Sequence, residues 1–560
     1  PPQSGVRHAW PDPSKSIVLI VTLVVVIALF ACFDPVFLYN DAFQHVSATR
    51  ALLAGEGYST SIIYYEQNYA QGVAPVPQTV WPPGTALLAS VFAFLGVDAL
   101  WAVALVSVAG LAVSTLIMFY VSRHCNLRDA VAVLSALSVV ALGLLIYVTF
   151  RGGTEGAFIA ATLLVLAGAC ALAFGRVPRS GAMLAMAAGA LLAVSLRYNG
   201  LFLVVSAGFW FVYRALANRS WRPINEAIVT LLPASLFGLL LLWRNLRLTG
   251  SLTGGPESES WASPTEVLAA LVQAMVSTSG FDPGEPFQLI LLVLLAAAFL
   301  VSFAGLAVWL ARLARPDHSM STRERASLEV SLFCIFYLAV TLLMLVLILA
   351  PRALDALGYR YLLPLLPVLV LLTAIVWHEL TRGGKPEAKG SSWVADSRSG
   401  GLVLGIIVGT LLTGNALAFT SAFTSLHASQ PIRDVPASLD EQLTSTETVG
   451  EWLAARVSIE SPVMSSSAQR LGGLTGWPVL GLTPGMYSHS EWPSERAYEV
   501  VRQFGVCYVL VHKTDTEAMI GGGRELFADL RRKVLPTWLT LEYQSPLLQI
   551  YVVDGCETWT

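Results

Sequence analysis

Asp41 and His45 stand one helical turn apart in the stretch YNDAFQH, just after the first long apolar run of the chain. A charged side chain at the edge of a bilayer is expensive, so it marks either a solvated loop or a working site. A carboxylate within hydrogen-bond reach of a hydroxyl or amine can take its proton. Arginines in a low-dielectric site can in turn neutralise an anion that develops or departs there. Candidates for both kinds of work recur along the chain: Glu155 and Arg151 in RGGTEG, Arg197 in RYNG, Arg244 in WRNLRL, Asp355, and Arg360 in GYRYLL. They can act together only if the chain brings them to one face.

Composition supplies the frame. Of 560 residues, 55% are hydrophobic and 13% charged, about half the ~25% charged share of a soluble domain. Several runs exceed the ~18 apolar residues that mark a membrane-spanning helix. The expected architecture is a polytopic α-helical membrane protein with eleven spans, at 17–33, 99–121, 130–149, 156–175, 180–196, 200–217, 226–248, 287–311, 328–350, 361–381 and 401–424. The first is read as a retained signal-anchor helix, because no small-residue cleavage site follows it. The apolar stretch 85–97 lies between Pro82-Pro83 and Asp98 and is short for a ~30 Å core. If it does not cross, seventeen basic residues, from Arg7 and Lys15 to Lys389 and Arg398, fall on one side. Seven fall in the opposite loops of the membrane domain: Arg50, Arg151, Arg197, Arg244, Arg247, Arg352 and Arg360. The positive-inside rule then places the N-terminus in the cytoplasm and the C-terminus outside, in an inner (plasma) membrane. On this topology Asp41, Arg151, Glu155, Arg197, Arg244, Asp355 and Arg360 all lie at the outer face. A shared polar cavity explains the set better than interfacial arginines snorkelling one by one.

Two extramembrane regions follow. The first outer loop, 34–98, opens on a helix-like segment that ends at Gly55–Gly57, and then runs through the aromatic, polar stretch YSTSIIYYEQNYAQG. That stretch, with Glu66 in it and Trp81 in the WPPG that follows, suits a wall contacting sugars or lipid headgroups. Tyrosines anchoring the interface are the blander explanation. Residues 1–424 make up the membrane domain. Residues 425–560 have ordinary polarity and mix helix-like segments (TETVGEWLAARV, SERAYEVVRQFG) with strand-like ones (CYVLVHK, LLQIYVVD), as in a small extracytoplasmic α/β domain. Cys507 and Cys556 lie there and can pair in an oxidising compartment. No CxxC or Cys/His spacing implies a zinc site.

The order of motifs carries more than any one of them: YNDA, GEGY, WPPGTALL, RGGTEG, RYNG, WRNLRLTGSLTGG and GYRYLLPLLP, with a C-terminal outer domain. Together they resemble the GT-C glycosyltransferases, and most of all the relatives of protein O-mannosyltransferases and of the lipid A aminoarabinose transferase. The resemblance spans about 30–425. It implies transfer of a sugar from a polyprenyl-phosphate carrier to a protein, lipid or glycan acceptor at the outer face, with inversion, and it implies no nucleic-acid partner. It also implies a catalytic carboxylate at the position of Asp41 and a further acid at Glu155. The sequence departs from the pattern at Asn40-Asp41, where many members carry two acids. No cofactor is implied, although a divalent cation is compatible with the carboxylates.

On this reading Asp41 is the general base. Arg360, then Arg244 and Arg197, with Tyr361 beside them, receive the lipid phosphate. Glu155 orients the acceptor or holds Arg151, and His45, Arg151, Asp355, Trp81 and Glu66 line the cavity. A transporter and a non-catalytic assembly subunit are the rival classes. The charges gathered at one face, with no visible internal repeat, argue against the transporter.

Overall fold

The computed structural model describes residues 13–31, 38, 40–63, 72, 74–140, 145, 148–149, 151–254, 263–279, 286–315, 320–349 and 359–382. It also describes scattered positions between 403 and 413, then 449–458, 461–481, 494–512, 526, 530, 534–545 and 548–556. Helix α1 is Pro13–Ala31 and α2 is Asn40–Leu53. They are followed by α3 (Gly84–Phe94), α4 (Ala99–His124) and α5 (Asp129–Val140). Next come α6 (Glu155–Phe174), α7 (Arg179–Leu196), α8 (Gly200–Asn218) and α9 (Arg222–Thr249). After these stand α10 (Pro264–Ser279), α11 (Pro286–Leu313), α12 (Thr322–Met344), the short α13 (Tyr359–Leu362) and α14 (Leu365–Arg382).

Eight of these helices, α4, α6, α7, α8, α9, α11, α12 and α14, are long and apolar enough to cross a membrane among the described residues. They match eight of the eleven expected runs. The runs expected at 17–33 and 130–149 appear as α1 and α5, both shorter apolar helices. The run at 401–424 falls largely outside the described residues. The 85–97 segment is α3, and its 11 residues reach only about 16 Å at 1.5 Å per residue, short of a ~30 Å core. One side of α3 is buried at Gly84, Thr85, Ala86 and Ala89, while Leu87, Val91 and Phe94 are exposed.

The spans meet through small residues. Glycines and alanines let helix backbones approach closely where no hydrophobic drive separates helix from lipid. A methyl group on Gly189 of α7 would stand 2.8 Å from the carbonyl of Ala161 on α6, and one on Gly168 of α6 would stand 2.6 Å from the carbonyl of Ala182 on α7. This pair carries Glu155 at the start of α6 and Arg197 just after α7. On the other side, α10 packs against α13, which carries Arg360.

The polar regions share one sheet. Strands β1 (Ser59–Thr60) and β3 (Val76–Pro77) pair antiparallel within the loop after α2. The six-stranded sheet runs in the order β2 (Ile62–Ile63), β5 (Val479–Leu480), β4 (Val463–Ser465), β6 (Tyr508–His512), β8 (Leu548–Val553), β7 (Leu539–Gln544). Its first four strands are parallel and the last two pairings are antiparallel. The helix-like SERAYEVVRQFG supplies α16 (Ser494–Gln503). The pairing of Tyr508 with Val552 brings the flanking Cys507 and Cys556 together, and they form a disulfide. The sequence reading named β6 and β8 alone; among the strands it did not name is β2, which belongs to the loop after α2 and completes the sheet edge.

Helix α15 (Ala468–Thr475) lies on α2 beside that edge. A side chain on Gly473 would collide with the ring of Phe43, and Arg50 Nη1 donates to the Gly473 carbonyl at 2.7 Å. The amides of Val479 and Gly481 bond the carbonyls of Ser61 and Ile63 at 3.0 and 2.9 Å. Gly473→Ala is therefore expected to overpack this joint and cost about 1–3 kcal/mol, read as a lower thermal unfolding midpoint in detergent. Phe43→Ala made in the same chain should recover part of that loss, because the two positions touch. Simple addition of the two penalties would refute the contact.

Candidate active site

Glu155 is fixed by the turn before α6. Gly152 adopts φ +72°, a left-handed conformation that favours glycine. A side chain on Gly153 would run into Val148 and the Glu155 carboxylate itself. Ser107 and Ser114 of α4 donate to the carbonyls of Gly153 and Gly156 at 2.7 and 2.9 Å, tying the turn to the neighbouring helix. The carboxylate opens α6, where the helix dipole favours an anion, and is 0% exposed.

Two arginines converge on it. Arg197 Nη1 donates to Glu155 Oε1 at 2.6 Å and to Thr154 Oγ1 at 3.2 Å. Arg360 Nε donates to the same Oε1 at 2.7 Å, while its Nη1 reaches Asp41 Oδ2 at 2.5 Å. Tyr361 lies beneath the Arg197 guanidinium, 4.9 Å from ring centroid to Cζ. The result is a chain of four charges, Arg197–Glu155–Arg360–Asp41, that sums to zero. Burial alone would weaken the Arg360 cation, but Glu155 and then Asp41 outweigh it and hold that guanidinium more firmly charged than usual. The two acids differ in access: the Asp41 side chain is 24% exposed and that of Glu155 is sealed. Only Asp41 can meet an incoming group directly.

His45 is buried one turn along α2. Burial pushes its pKa down to about 4. Asp41 and Glu155 pull it up and Arg360 and Arg197 push it down, so these charges largely offset one another. Its ring faces Trp81 at 5.8 Å between centroids. Arg244, expected at the lipid phosphate, is held elsewhere. Its Nη1 donates to the Gln78 carbonyl at 2.8 Å and its guanidinium lies over the Tyr58 ring at 5.9 Å, so it braces the loop after α2. Arg151 sits half-buried in the turn before α6. Glu155 answers Arg197 and Arg360, where the sequence reading paired it with Arg151 or the acceptor. Asp355 and Glu66 lie outside the described residues. Among the described residues, no group of three or more His, Cys, Asp or Glu side chains is placed to hold a metal ion.

Sequence reasoning also missed the neutral residues that hold the arginine-bearing helix ends. Asn245 donates to the Tyr198 hydroxyl at 2.6 Å, which donates to the Thr79 carbonyl at 2.8 Å. The signal lay beside the arginines, in RYNG and WRNL, as polar side chains flanking a cation at a helix end.

No family model and no curated protein matches the chain. The apo crystal structure of ArnT from Cupriavidus metallidurans superposes with a TM-score of 0.55 at 13% identity, over 97% of this chain and 98% of that one. The structure of ArnT bound to undecaprenyl phosphate gives 0.54 at 13%, over 98% and 99%. The chain has the GT-C fold. Arabinofuranosyltransferase AftD from Mycobacteria shares it with a TM-score of 0.53 at 17% identity, over 97% of this chain and 40% of that longer one. With eight helices among the described residues long and apolar enough to cross a membrane, the protein is an integral membrane protein. At these identities the GT-C fold is what is shared, so the roles of the four charges rest on their own geometry.

Two outcomes follow from that geometry. Glu155→Gln leaves Arg197, 5% exposed, without its counter-charge, and should destabilise the protein by about 3–5 kcal/mol in detergent unfolding. Arg360→Lys should not restore the bridge, because an ammonium lacks the fork that spans two carboxylates. His45 gives a pH signature. The unfolded chain binds its proton near the ordinary imidazole value of 6.5 and the folded one only near 4, so the unfolded state holds more protons between those values. Stability should fall as pH drops below 6.5 and level off near 4. His45→Phe should show a shallower acid decline than the parent, and identical slopes would contradict the burial of a neutral ring.

Proposed function

We propose that this protein is a membrane glycosyltransferase that moves a sugar from a polyprenyl-phosphate carrier to a hydroxyl or amine acceptor at the outer face. The observation that carries this reading is Arg360, bound at once to the sealed carboxylate of Glu155 and the accessible one of Asp41. The fold supports it, since ArnT binds undecaprenyl phosphate in the same architecture. The excess of basic residues in the opposite loops and the Cys507–Cys556 disulfide support the outer location of the site.

The chemistry follows from the two acids having different partners. Glu155 positions Arg360 and touches no substrate. Arg360 receives the donor phosphate, and Asp41 answers Arg360 until that phosphate arrives. A phosphate at Arg360 takes over the guanidinium and releases the Asp41 carboxylate. Asp41 then accepts the proton of the acceptor hydroxyl or amine as its oxygen or nitrogen bonds to the anomeric carbon. The bond from that carbon to the phosphate oxygen breaks, and the electron pair leaves on the lipid phosphate, which Arg360 stabilises. A single displacement inverts the anomeric centre. Arg197 and Tyr361 keep Glu155 and the end of α13 in place, and Arg244 braces the loop roof.

Asp41→Asn is expected to lower transfer by about 10²–10⁴-fold while polyprenyl phosphate still co-purifies in native mass spectrometry. Arg360→Met should lose that lipid. Full transfer by the Asn variant would refute Asp41 as base. Repeated absence of any polyprenyl lipid from the parent protein would refute the donor class.

A further inference from the structure

His45 is 2% exposed, yet neither of its ring nitrogens has a hydrogen-bond partner among the described residues. The buried indole N–H of Trp81, whose ring is tilted at 59° to that of His45, also lacks one among the described residues. Leaving such groups unmatched in a buried site costs stability, so a polar partner is expected at this spot. The nearby ions do not serve, because Asp41, Glu155, Arg197 and Arg360 bind one another.

The type of partner follows from the donors and acceptors. A neutral imidazole offers one N–H and one lone pair, and an indole offers one N–H. Burial favours the neutral ring here. Two donors, one acceptor, no net charge and an aromatic face complement a hydroxyl on a sugar ring. An ammonium group would leave both donors unmatched. A carboxylate could not donate to the imidazole and would lie close to Asp41 and Glu155. We propose that His45 and Trp81 seat a hydroxyl of an uncharged donor sugar and thereby set the sugar specificity of the site. The inference rests on the glycosyltransferase reading above. The donor is favoured over the acceptor because His45 is the buried neighbour of a partly open Asp41. An acceptor enters and leaves on the open side, and the donor sugar occupies the closed one.

The test uses the full chain in detergent with undecaprenyl phosphate and its glucosyl, mannosyl, arabinosyl and 2-amino-2-deoxyglucosyl derivatives, with binding followed by native mass spectrometry. The parent is expected to bind at least one neutral-sugar lipid about tenfold or more tightly than the bare phosphate lipid, and more tightly than the cationic amino sugar. His45→Phe should erase that advantage while leaving the bare lipid within about twofold, because a lost hydrogen bond in a buried site costs roughly tenfold. Trp81→Phe keeps an aromatic ring but removes the indole N–H together with the pyrrole half of the bicycle. It should lose part of the same advantage, and it decides the matter if His45→Phe does not fold. A sugar preference that survives both variants overturns the proposal, as does an equal loss of the bare and glycosylated lipids or a preference for the amino sugar. Binding of no polyprenyl lipid by the parent overturns the glycosyltransferase reading itself and this inference with it.

Discussion

Glu155 is a carboxylate closed off from water, and one of its oxygens is shared by Arg197 and Arg360. An isolated buried charge would neutralise or unfold its surroundings, so the fold must deliver both guanidiniums to that oxygen. Three separate pieces of chain make the delivery. The RGGTEG turn sets the acid against α4, the end of α7 brings Arg197, and α13, propped by α10, brings Arg360. The close approach of α6 and α7 through Gly168 and Gly189 is what allows the first two to meet. Asp41 joins from the other side, on a helix that belongs to none of the candidate spans.

That helix is held from above as well as from below. Its lower contacts are with α3, where Thr49 Oγ1 meets the Ala86 carbonyl at 3.5 Å. Its upper contacts are with α15, through Phe43, Arg50 and Gly473. A network of neutral side chains fixes the loop beyond it: Gln78 donates to Gln44 at 3.0 Å, and Ser47 bonds Ser61 at 2.9 Å. Asp41 can therefore stay partly open without its helix being loose. Of the two described site acids, the accessible one sits on a platform tied down by these neutral contacts.

Much of this was legible in the sequence for a single reason: in a chain with so few charges, each ionisable residue near an apolar run stands out. Asp41, Glu155, Arg197 and Arg360 were all found that way, and the spans were read from run length. Partner choice was not legible. Arg244 looks like Arg360 on paper, yet its acceptors are backbone carbonyls of Gln78 and Tyr58, which no side-chain pattern reveals. Strand β2 is two isoleucines inside an aromatic loop, too short to show alternation. Helix α10 did leave a mark that the hydropathy reading passed over. Ser263 and Glu266 have the spacing of a capping box, and the Glu266 carboxylate accepts from the Ser263 amide at 2.6 Å.

The sheet edge also bears on how this architecture can be divided or recombined. Its first strand comes from residue 62 and its second from residue 479, so the cut that separates the two polar regions in sequence does not separate them in space. A chimera that exchanged only the chain beyond the last span would receive a sheet missing an edge strand and a helix docked on a foreign α2. The natural unit of exchange is instead the pair of segments 40–63 and 449–556 together. Because the first of these carries Asp41, any drift in the distal region is coupled to the acid through shared packing, and the two segments should vary in step across lineages.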